Sequence, residues 1–463
     1  MYKNGGTFMV QIDEKEYGLS KAKLESIFDC GTFVELGAYT KRQGSDKEFE
    51  GVLCGYGAIG GKLTFAFVQD SGRTKGAFSE RHAKKIANMY DLAVKNGAPV
   101  IGVFDSAGAV VYDGASALAA YGKFMKCVSD ASGIIPQIAV IDGVCGGSAA
   151  VASAMFDFVI TVKDRSKLFV NPPFVVGESK GSEAQGYSVY EAKDSADAYA
   201  FARDLVLTLP DNNAAIAYVD TADSPVRAVN IDFTSYNTDD LLASLSDDGR
   251  FIPLYSGYTE NMKLGFASFG GILAGVVASD NKNGGVIDVK SARAAAKLIG
   301  FCDSFSIPLV TLVDSKGLEV SADAENSSYA EELAKLAFAY TSSTNAKLTA
   351  VVGKAYGAAF TLLGSKSLGA DMALAVPTAE ISVLSPEASV AFLWNDKVSE
   401  KSREELEDEW REKCASAAEA ANLGEIDDVV APEELRARIC AALSMLSAKS
   451  DSEPTRKHVN MPL

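Results

Sequence analysis

Residues 96–108 read NGAPVIGVFDSAG, and residues 305–317 read FSIPLVTLVDSKG. Laid over each other, they put Pro99 on Pro308, Asp105 on Asp314 and Gly108 on Gly317, each pair 209 positions apart. In both, a proline leads into a short apolar run that has the length of a buried strand. An acid, two short residues and a glycine then supply turn chemistry.

Working outward, a second matched unit follows in each half. Ile138 to Ser148 (IAVIDGVCGGS) answers to Lys347 to Ala359 (KLTAVVGKAYGAA), with Gly147 set against Ala358. Upstream of each proline, 81–93 and 291–302 alternate Ala, Lys and Ile or Leu at helical spacing. Each half therefore reads helix, buried strand, glycine turn, helix, buried strand, glycine turn, helix, which is an α/β domain built twice. The expected boundaries are a first domain over 1–222, an exposed linker over 223–235 and a second domain over 236–463. The charge-dense run Lys401–Cys414 reads as a solvated helix.

The 463 residues carry 44 Lys and Arg against 61 Asp and Glu, a formal charge of −17, which disfavours nucleic acid and anionic membrane as partners. The first residues lack the apolar core of a signal peptide and no stretch is long and apolar enough to span a bilayer, so a cytoplasmic location is expected. Seven cysteines without a C-x-x-C pair suit reduced, buried thiols, and two histidines make a zinc site improbable; no metal is expected.

The turns themselves are nearly bare of reactive side chains. After a buried strand, small residues opening a helix leave backbone N–H groups without intrahelical partners, directed out of the helix N-terminus. Amides fixed in advance can hold a carbonyl oxygen that becomes negative in a transition state. A single such turn is better explained by close packing of helix on strand, but four occur at matching places: Asp105–Gly108, Cys145–Ser148, Asp314–Gly317 and Tyr356–Ala359. No G-x-S-x-G elbow, Walker A sequence or histidine paired with a nucleophile competes with them.

The residues resemble those of the biotin-dependent acyl-CoA carboxyltransferases, of the type found in the β subunit of propionyl-CoA carboxylase and in sodium-pumping decarboxylases. The resemblance is carried, in order along nearly the whole chain, by Ile27–Leu36 (IFDCGTFVEL), His82–Ile86 (HAKKI), Ser132–Gln137 (SGIIPQ), Phe301–Pro308 (FCDSFSIP), Lys354–Gly357 (KAYG), Pro377–Ile381 (PTAEI) and Lys457–Leu463 (KHVNMPL). It implies two crotonase-like (ClpP/crotonase) β-β-α superhelix domains in tandem. It also implies a homo-oligomer, a hexamer built as a trimer of dimers, in which sites form between an N-terminal domain and a C-terminal domain of another subunit. The implied partners are a biotin carboxyl carrier protein and a biotin carboxylase or membrane decarboxylase subunit, the latter making the protein peripheral to a membrane. The substrates are biotin, carried on a partner, and an acyl-CoA.

Carried over by position, the amides of Gly147 and Ser148 hold the thioester oxygen, and those of Ala358 and Ala359 hold the ureido oxygen of biotin. Ala107, Gly108, Gly146, Gly317 and Gly357 line the cleft, and Thr361 stands where the family selects the acyl chain. Arg73, Lys75 and Arg81, with Lys84 and Lys85, form a basic cluster suited to CoA phosphates or to a solvated helix face.

The chain departs from the family at Ala107, Val110, Ser148 and Ser315-Lys316, and Gly177–Asp194 is shorter than the family's insertion. Backbone donors survive such changes, while cleft shape depends on them. Carboxylase and decarboxylase subunits share this chemistry, and a non-catalytic scaffold keeping the fold is a third reading. A crotonase-type hydratase would need paired carboxylates beside the turns; Glu325, Glu331, Glu332 and Glu380 are the candidates.

Overall fold

A computed structural model of the chain describes residues 14–42, 45, 48–176, 188–216, 218–451 and 460. His458 and residues 177–187 of the shortened segment lie outside them. Two compact units divide at Asn212/Asn213, earlier than the expected boundary at 222.

In the first unit the strands are β1 (Val34–Leu36), β2 (Val52–Ile59), β3 (Lys62–Gln69), β4 (Val100–Phe104), β5 (Gln137–Ile141), β6 (Val144–Gly146), β7 (Phe158–Val162), β8 (Lys167–Phe169) and β9 (Ser188–Ala192). Seven form one sheet in the order β1-β2-β3-β4-β5-β7-β9, while β6 pairs with β8 apart from it. The first three strands are antiparallel and the rest parallel. That parallel part explains the unbroken apolar runs: β4, β5 and β7 are buried along their whole length, as strands covered on both faces must be.

Helix Glu80–Asn96 returns the chain from β3 to β4. It starts where the Ser79 side chain accepts the His82 amide, and it stops at Gly97 in a left-handed conformation. Over the sheet, Phe67 meets Phe104 and Phe124 edge-on at 5.5 and 5.7 Å, and Phe104 meets Phe156 at 5.6 Å. Burying each such ring contributes roughly 1.5–3 kcal/mol.

The second unit repeats the plan. Its strands are β10 (Phe251–Leu254), β11 (Met262–Phe269), β12 (Ile272–Ser279), β13 (Leu309–Ser315), β14 (Lys347–Tyr356), β15 (Met372–Ala375), β16 (Glu380–Ser382) and β17 (Asp428–Val429). The sheet runs β10-β11-β12-β13-β14-β15-β17, and β16 pairs with the end of β14. Helix Val289–Ser304, capped by Asp288, links β12 to β13.

Each unit also contains an antiparallel hairpin, β2–β3 and β11–β12, that the strand-by-strand reading of the sequence did not resolve. Their turns, Gly60-Gly61 and Gly270-Gly271, have positive φ at both residues, which matches the right-handed twist of a hairpin. In the second unit the turn amides donate to the Asp247 carboxylate at 2.8 Å each. Fully buried Arg436 pairs with that carboxylate at 2.6 Å.

The stretch expected as a linker is bonded into this arrangement. Arg227 pairs with Asp223 at 2.9 Å and donates to the Ser244 carbonyl, while Arg436 also reaches Asp223 at 3.3 Å. Residues 223–229 are thus part of the second unit, because Asp223 and the Ser224 carbonyl are partners of Arg436 and the Val229 amide donates to the Glu433 carbonyl. The charge-dense tail forms helix Arg403–Trp410, begun by a capping box between Ser402 and Glu405, with only Leu406 fully buried.

Candidate active site

In the first unit the chain leaves β4 at Asp105 and enters a turn whose groups are nearly all bonded. The Ser106 amide donates to the Val144 carbonyl at 2.8 Å and the Ala107 amide to the Lys75 carbonyl at 2.9 Å. The Ser106 hydroxyl donates to the Gly76 carbonyl and accepts the Gly108 amide. Phe78 donates to the Gly108 carbonyl and accepts from the Val110 amide, so the amide of Ala109, between them, is turned away from Phe78.

The second bare turn is tied to the first. Asp105 Oδ1 accepts the Val144 amide at 3.2 Å. A Cβ on Gly143 would lie 2.1 Å from that same oxygen, so the turn is stripped at Gly143 because the Asp105 carboxylate occupies the space. Gly147 follows with φ 61° and ψ −127°, a conformation suited to glycine alone, and caps helix Ser148–Ala154.

The second unit has the same construction. Asp314 Oδ1 accepts the Lys354 amide at 2.8 Å, and a Cβ on Gly353 would come within 2.3 Å of its carboxylate. The Lys316 amide donates to the Gly284 carbonyl, and the Gly317 amide to the Ser315 hydroxyl. Gly357, at φ 58° and ψ −137°, caps helix Ala358–Leu362. Leu318 occupies the position of Ala109, bridged to Ile287.

One of the two amides expected as donors in the first unit already has a partner. Gly147 superposes in role on Gly357 and not on Ala358, and both glycine amides are already engaged: Gly147 donates to the Phe169 carbonyl and Gly357 to the Ser382 carbonyl, each at 2.9 Å. The amides opening the helices are those of Ser148 and Ala149 in one unit and Ala358 and Ala359 in the other, where the first turn has no intrahelical acceptor. Gly147 thus sets the direction in which the helix-opening amides leave the turn. Ser148 is absent from the residues with positive φ, so its side chain adds no backbone strain, and neither do those of Ala107 and Lys316.

Gly146 packs against Phe169, close enough that a Cβ would meet the ring at 2.4 Å. Gly108 and Gly317 keep positive φ at the first turns, and Thr361 is exposed on the short helix after Gly357. The basic cluster is split. Lys75 is exposed beside the first turn through its carbonyl; Arg73 pairs with Asp70 at 3.6 Å. Arg81 and Lys84 open onto a different cleft of about 620 Å³, whose lining includes neither Arg73 nor Lys75. Lys85 is buried against Glu35 at 3.0 Å.

Sequence reading missed the charge network under the first unit's turn. Asp142 has no exposed surface, yet it pairs with Lys23 at 2.8 Å and Arg165 at 2.6 Å, and accepts from the hydroxyls of Ser195 and Tyr199 at 2.6 Å each. Burial pushes its pKa up, but the bonds from Lys23, Ser195 and Tyr199 outweigh that and hold it below the usual aspartate range. Lys23 also approaches Asp105 at 3.9 Å. In the second unit the brace is neutral: the Tyr236 hydroxyl donates to Asp314 at 2.7 Å. The recurring Asp at 105 and 314 was the available signal; the partners of Asp142 are too remote in sequence to leave one.

No side chain in the turns is poised as a nucleophile. Burial pushes the Cys145 thiol up to about 12, which keeps it protonated near neutrality. Glu380 accepts from the Tyr356 hydroxyl and lies 3.4 Å from Arg411, so it is committed to structure. Among the described residues, no three His, Cys, Asp or Glu side chains converge on a metal-sized site, and no helix is long and apolar enough to cross a membrane. What this leaves at the turns are backbone amides without intrahelical acceptors, once in each unit.

The carboxyl transferase domain family matches residues 19–461. The α subunit of methylmalonyl-CoA decarboxylase from Propionigenium modestum is 34% identical, over 96% of this chain and 93% of its own. The biotin-dependent acetyl-/propionyl-coenzyme A carboxylase β5 subunit of Mycobacterium tuberculosis is 31% identical, over 96% and 89%. A crystal structure of transcarboxylase 12S, a hexamer with methylmalonyl-coenzyme A bound, superposes with a TM-score of 0.89 at 31% identity, covering 96% of this chain and 92% of that one.

Proposed function

Because the chain belongs to the carboxyl transferase domain family, we propose that it moves a carboxyl group between biotin, presented by a carrier protein, and a short-chain acyl-CoA. Biotin supplies a ureido nitrogen that gives up or accepts the carboxyl group. The amides of Ser148 and Ala149, with that of Ala109, hold the thioester oxygen while the neighbouring carbon passes its proton to the ureido nitrogen that has given up the carboxyl group, leaving an enolate. The amides of Ala358 and Ala359, with that of Leu318, hold the ureido oxygen. Both oxygens gain negative charge along the reaction, and donors fixed for that charge accelerate it by on the order of 3 kcal/mol each.

The observation that carries this reading is the duplicated turn. Two aspartates, Asp105 and Asp314, clamp two glycine turns through the same backbone bond, a duplication that supports one oxyanion site in each unit. Of the carboxylates a hydratase would need, Glu380 is held by Tyr356 and Arg411, and Glu332 by Arg293 and Lys335. Lys75, exposed beside the first turn, is the cation offered to the CoA phosphates, while Arg73 is taken up by Asp70. Assembly as a hexamer agrees with the hexameric transcarboxylase core, and a biotin carrier is the partner that the proposed reaction requires.

Incubating purified protein with malonyl- or methylmalonyl-CoA and free biotin tests the proposal. Biotin-dependent loss of the carboxyl group is expected. Failure to turn over any short carboxyacyl-CoA overturns it.

A further inference from the structure

The clamp in the first unit uses one oxygen of the Asp105 carboxylate. Oδ1 accepts the Val144 amide, while Oδ2 faces the ammonium group of Lys23 at 3.9 Å. That ammonium group also lies 2.8 Å from Asp142 Oδ2. Asp142 precedes Gly143 in the chain, and the Asp105 carboxylate fills the space where a Gly143 side chain would be. One cation therefore stands between the two carboxylates that flank this residue.

The fold holds Lys23 in that place. It projects from helix Glu14–Ile27, where Leu24 and Ile27 have no exposed surface. Helix Ser195–Thr208 ties both sides of the arrangement together with residues four apart on one face: Ser195 and Tyr199 donate to Asp142, and Arg203 donates to the Ile27 carbonyl. Without Lys23, Asp142 keeps Arg165, Ser195 and Tyr199. Asp105 has no such reserve, because among the described residues Lys23 is the one cation paired with it.

Asp105 governs two groups of donors at once. Its backbone begins the turn that carries the Ala109 amide, and its carboxylate fixes the turn that opens onto Ser148 and Ala149. Two like charges around Gly143 repel, and with no cation between them the repulsion is relieved by drawing the two turns apart.

We infer that Lys23 is a positioning residue for the thioester oxygen: its ammonium group, shared by Asp105 and Asp142, fixes the spacing of the Ala109 amide from those of Ser148 and Ala149. The inference rests on the proposed carboxyl transfer, and it makes the N-terminal helix part of the acyl-CoA half of that reaction. In the second unit Asp314 is braced by the Tyr236 hydroxyl instead, at 2.7 Å, so the effect is confined to the first.

The test compares the full-length wild type with Lys23→Met, Lys23→Gln, Lys23→Arg and Arg165→Met, each checked by thermal melt. Lys23→Gln carries a donor without the charge. Arg165 pairs with Asp142 at 2.6 Å and not with Asp105, so its loss weakens the brace without touching the clamp. Kinetics with malonyl- or methylmalonyl-CoA and free biotin are read beside amide hydrogen exchange over 142–149 and 353–359. Lys23→Met and Lys23→Gln are expected to lower kcat about tenfold or more, with KM for the acyl-CoA within about twofold, and to exchange faster over 142–149 alone. Lys23→Arg is expected to recover kcat to within about threefold of wild type, and Arg165→Met to lose no more than that. Faster exchange over 142–149 in a protein that turns over no carboxyacyl-CoA keeps the positioning role and sinks the carboxyl-transfer reading. Unchanged exchange and kcat in Lys23→Met and Lys23→Gln overturn the inference, as does an equal loss in Arg165→Met or a loss that Lys23→Arg does not recover.

Discussion

The carboxylate of Asp105 accepts the amide proton of Val144 at 3.2 Å, across 39 positions of sequence, and so sets the height at which the Gly147 turn leaves its strand. Asp314 and Lys354 repeat the relationship at 2.8 Å. The clamp leaves no volume for a side chain on the residue before the bonded amide.

Gly143→Ala and Gly353→Ala should therefore fold and yet lose activity. The added methyl group forces the aspartate aside by more than 1 Å, and displacements of that size cost about 10²-fold when they reach reacting atoms. Steady-state kinetics should show the loss in kcat for both, with circular dichroism unchanged.

Removing a donor without moving the chain separates backbone donation from packing. Ser148 and Ala358 are the first residues of their helices, where proline is tolerated because its missing N–H has no intrahelical use. Ser148→Pro and Ala358→Pro should each lower kcat by about 10²–10³-fold, the usual result of deleting one oxyanion donor. Ser148→Gly keeps the N–H and should stay within a few-fold of wild type. Loss of activity in Ser148→Gly equal to that in Ser148→Pro would assign the effect to the hydroxymethyl group instead.

The charged brace belongs to the first unit alone, and it gives that unit an acid sensitivity. The folded pKa of Asp142 is depressed, so its contribution is complete above the ordinary aspartate range and is lost as pH falls through the folded value. Asp142→Asn leaves Lys23 and Arg165 without their countercharge and should cost about 3 kcal/mol at pH 7. Denaturant titrations should show this gap narrowing below about pH 4, where the unfolded aspartate takes up its proton.

His82 has no exposed surface and stacks on Phe78 at 4.5 Å. Burial, with the charge of Lys85, pushes its pKa down to about 3. A depressed histidine stabilises the fold above its unfolded pKa of about 6.5 and ceases to do so as pH falls toward 3. Between pH 7 and 5 the wild type should lose about 2 kcal/mol through this group. His82→Leu should remove that part of the slope, measured as Tm against pH.

The α/β class, its duplication and the positions of the glycine turns were all legible from residues 96–108, 138–148 and their counterparts, because strand burial and turn chemistry are local demands. That the Gly147 amide is already engaged was not legible. Whether an amide is free depends on the strand beside it, and the Phe169 carbonyl that takes the Gly147 amide is 22 positions away. Arg73, Lys75 and Arg81 looked like one cluster in sequence and serve three surroundings in space, since a strained turn around Thr74–Gly76 and the start of a helix aim them apart.

The sequence by itself determined that each half would end its strands in bare, helix-opening turns, since apolar runs, glycine spacing and caps act over a few residues. Tertiary structure alone decided what those turns are clamped by. Lys23, Asp142, Arg165 and Tyr199 come from four separate segments, and a buried carboxylate is tolerable only where folding brings enough cations and hydroxyls to it at once. The same holds for Lys316 and Lys354, which are 38 positions apart along the chain and share one cavity only because β13 and β14 lie side by side.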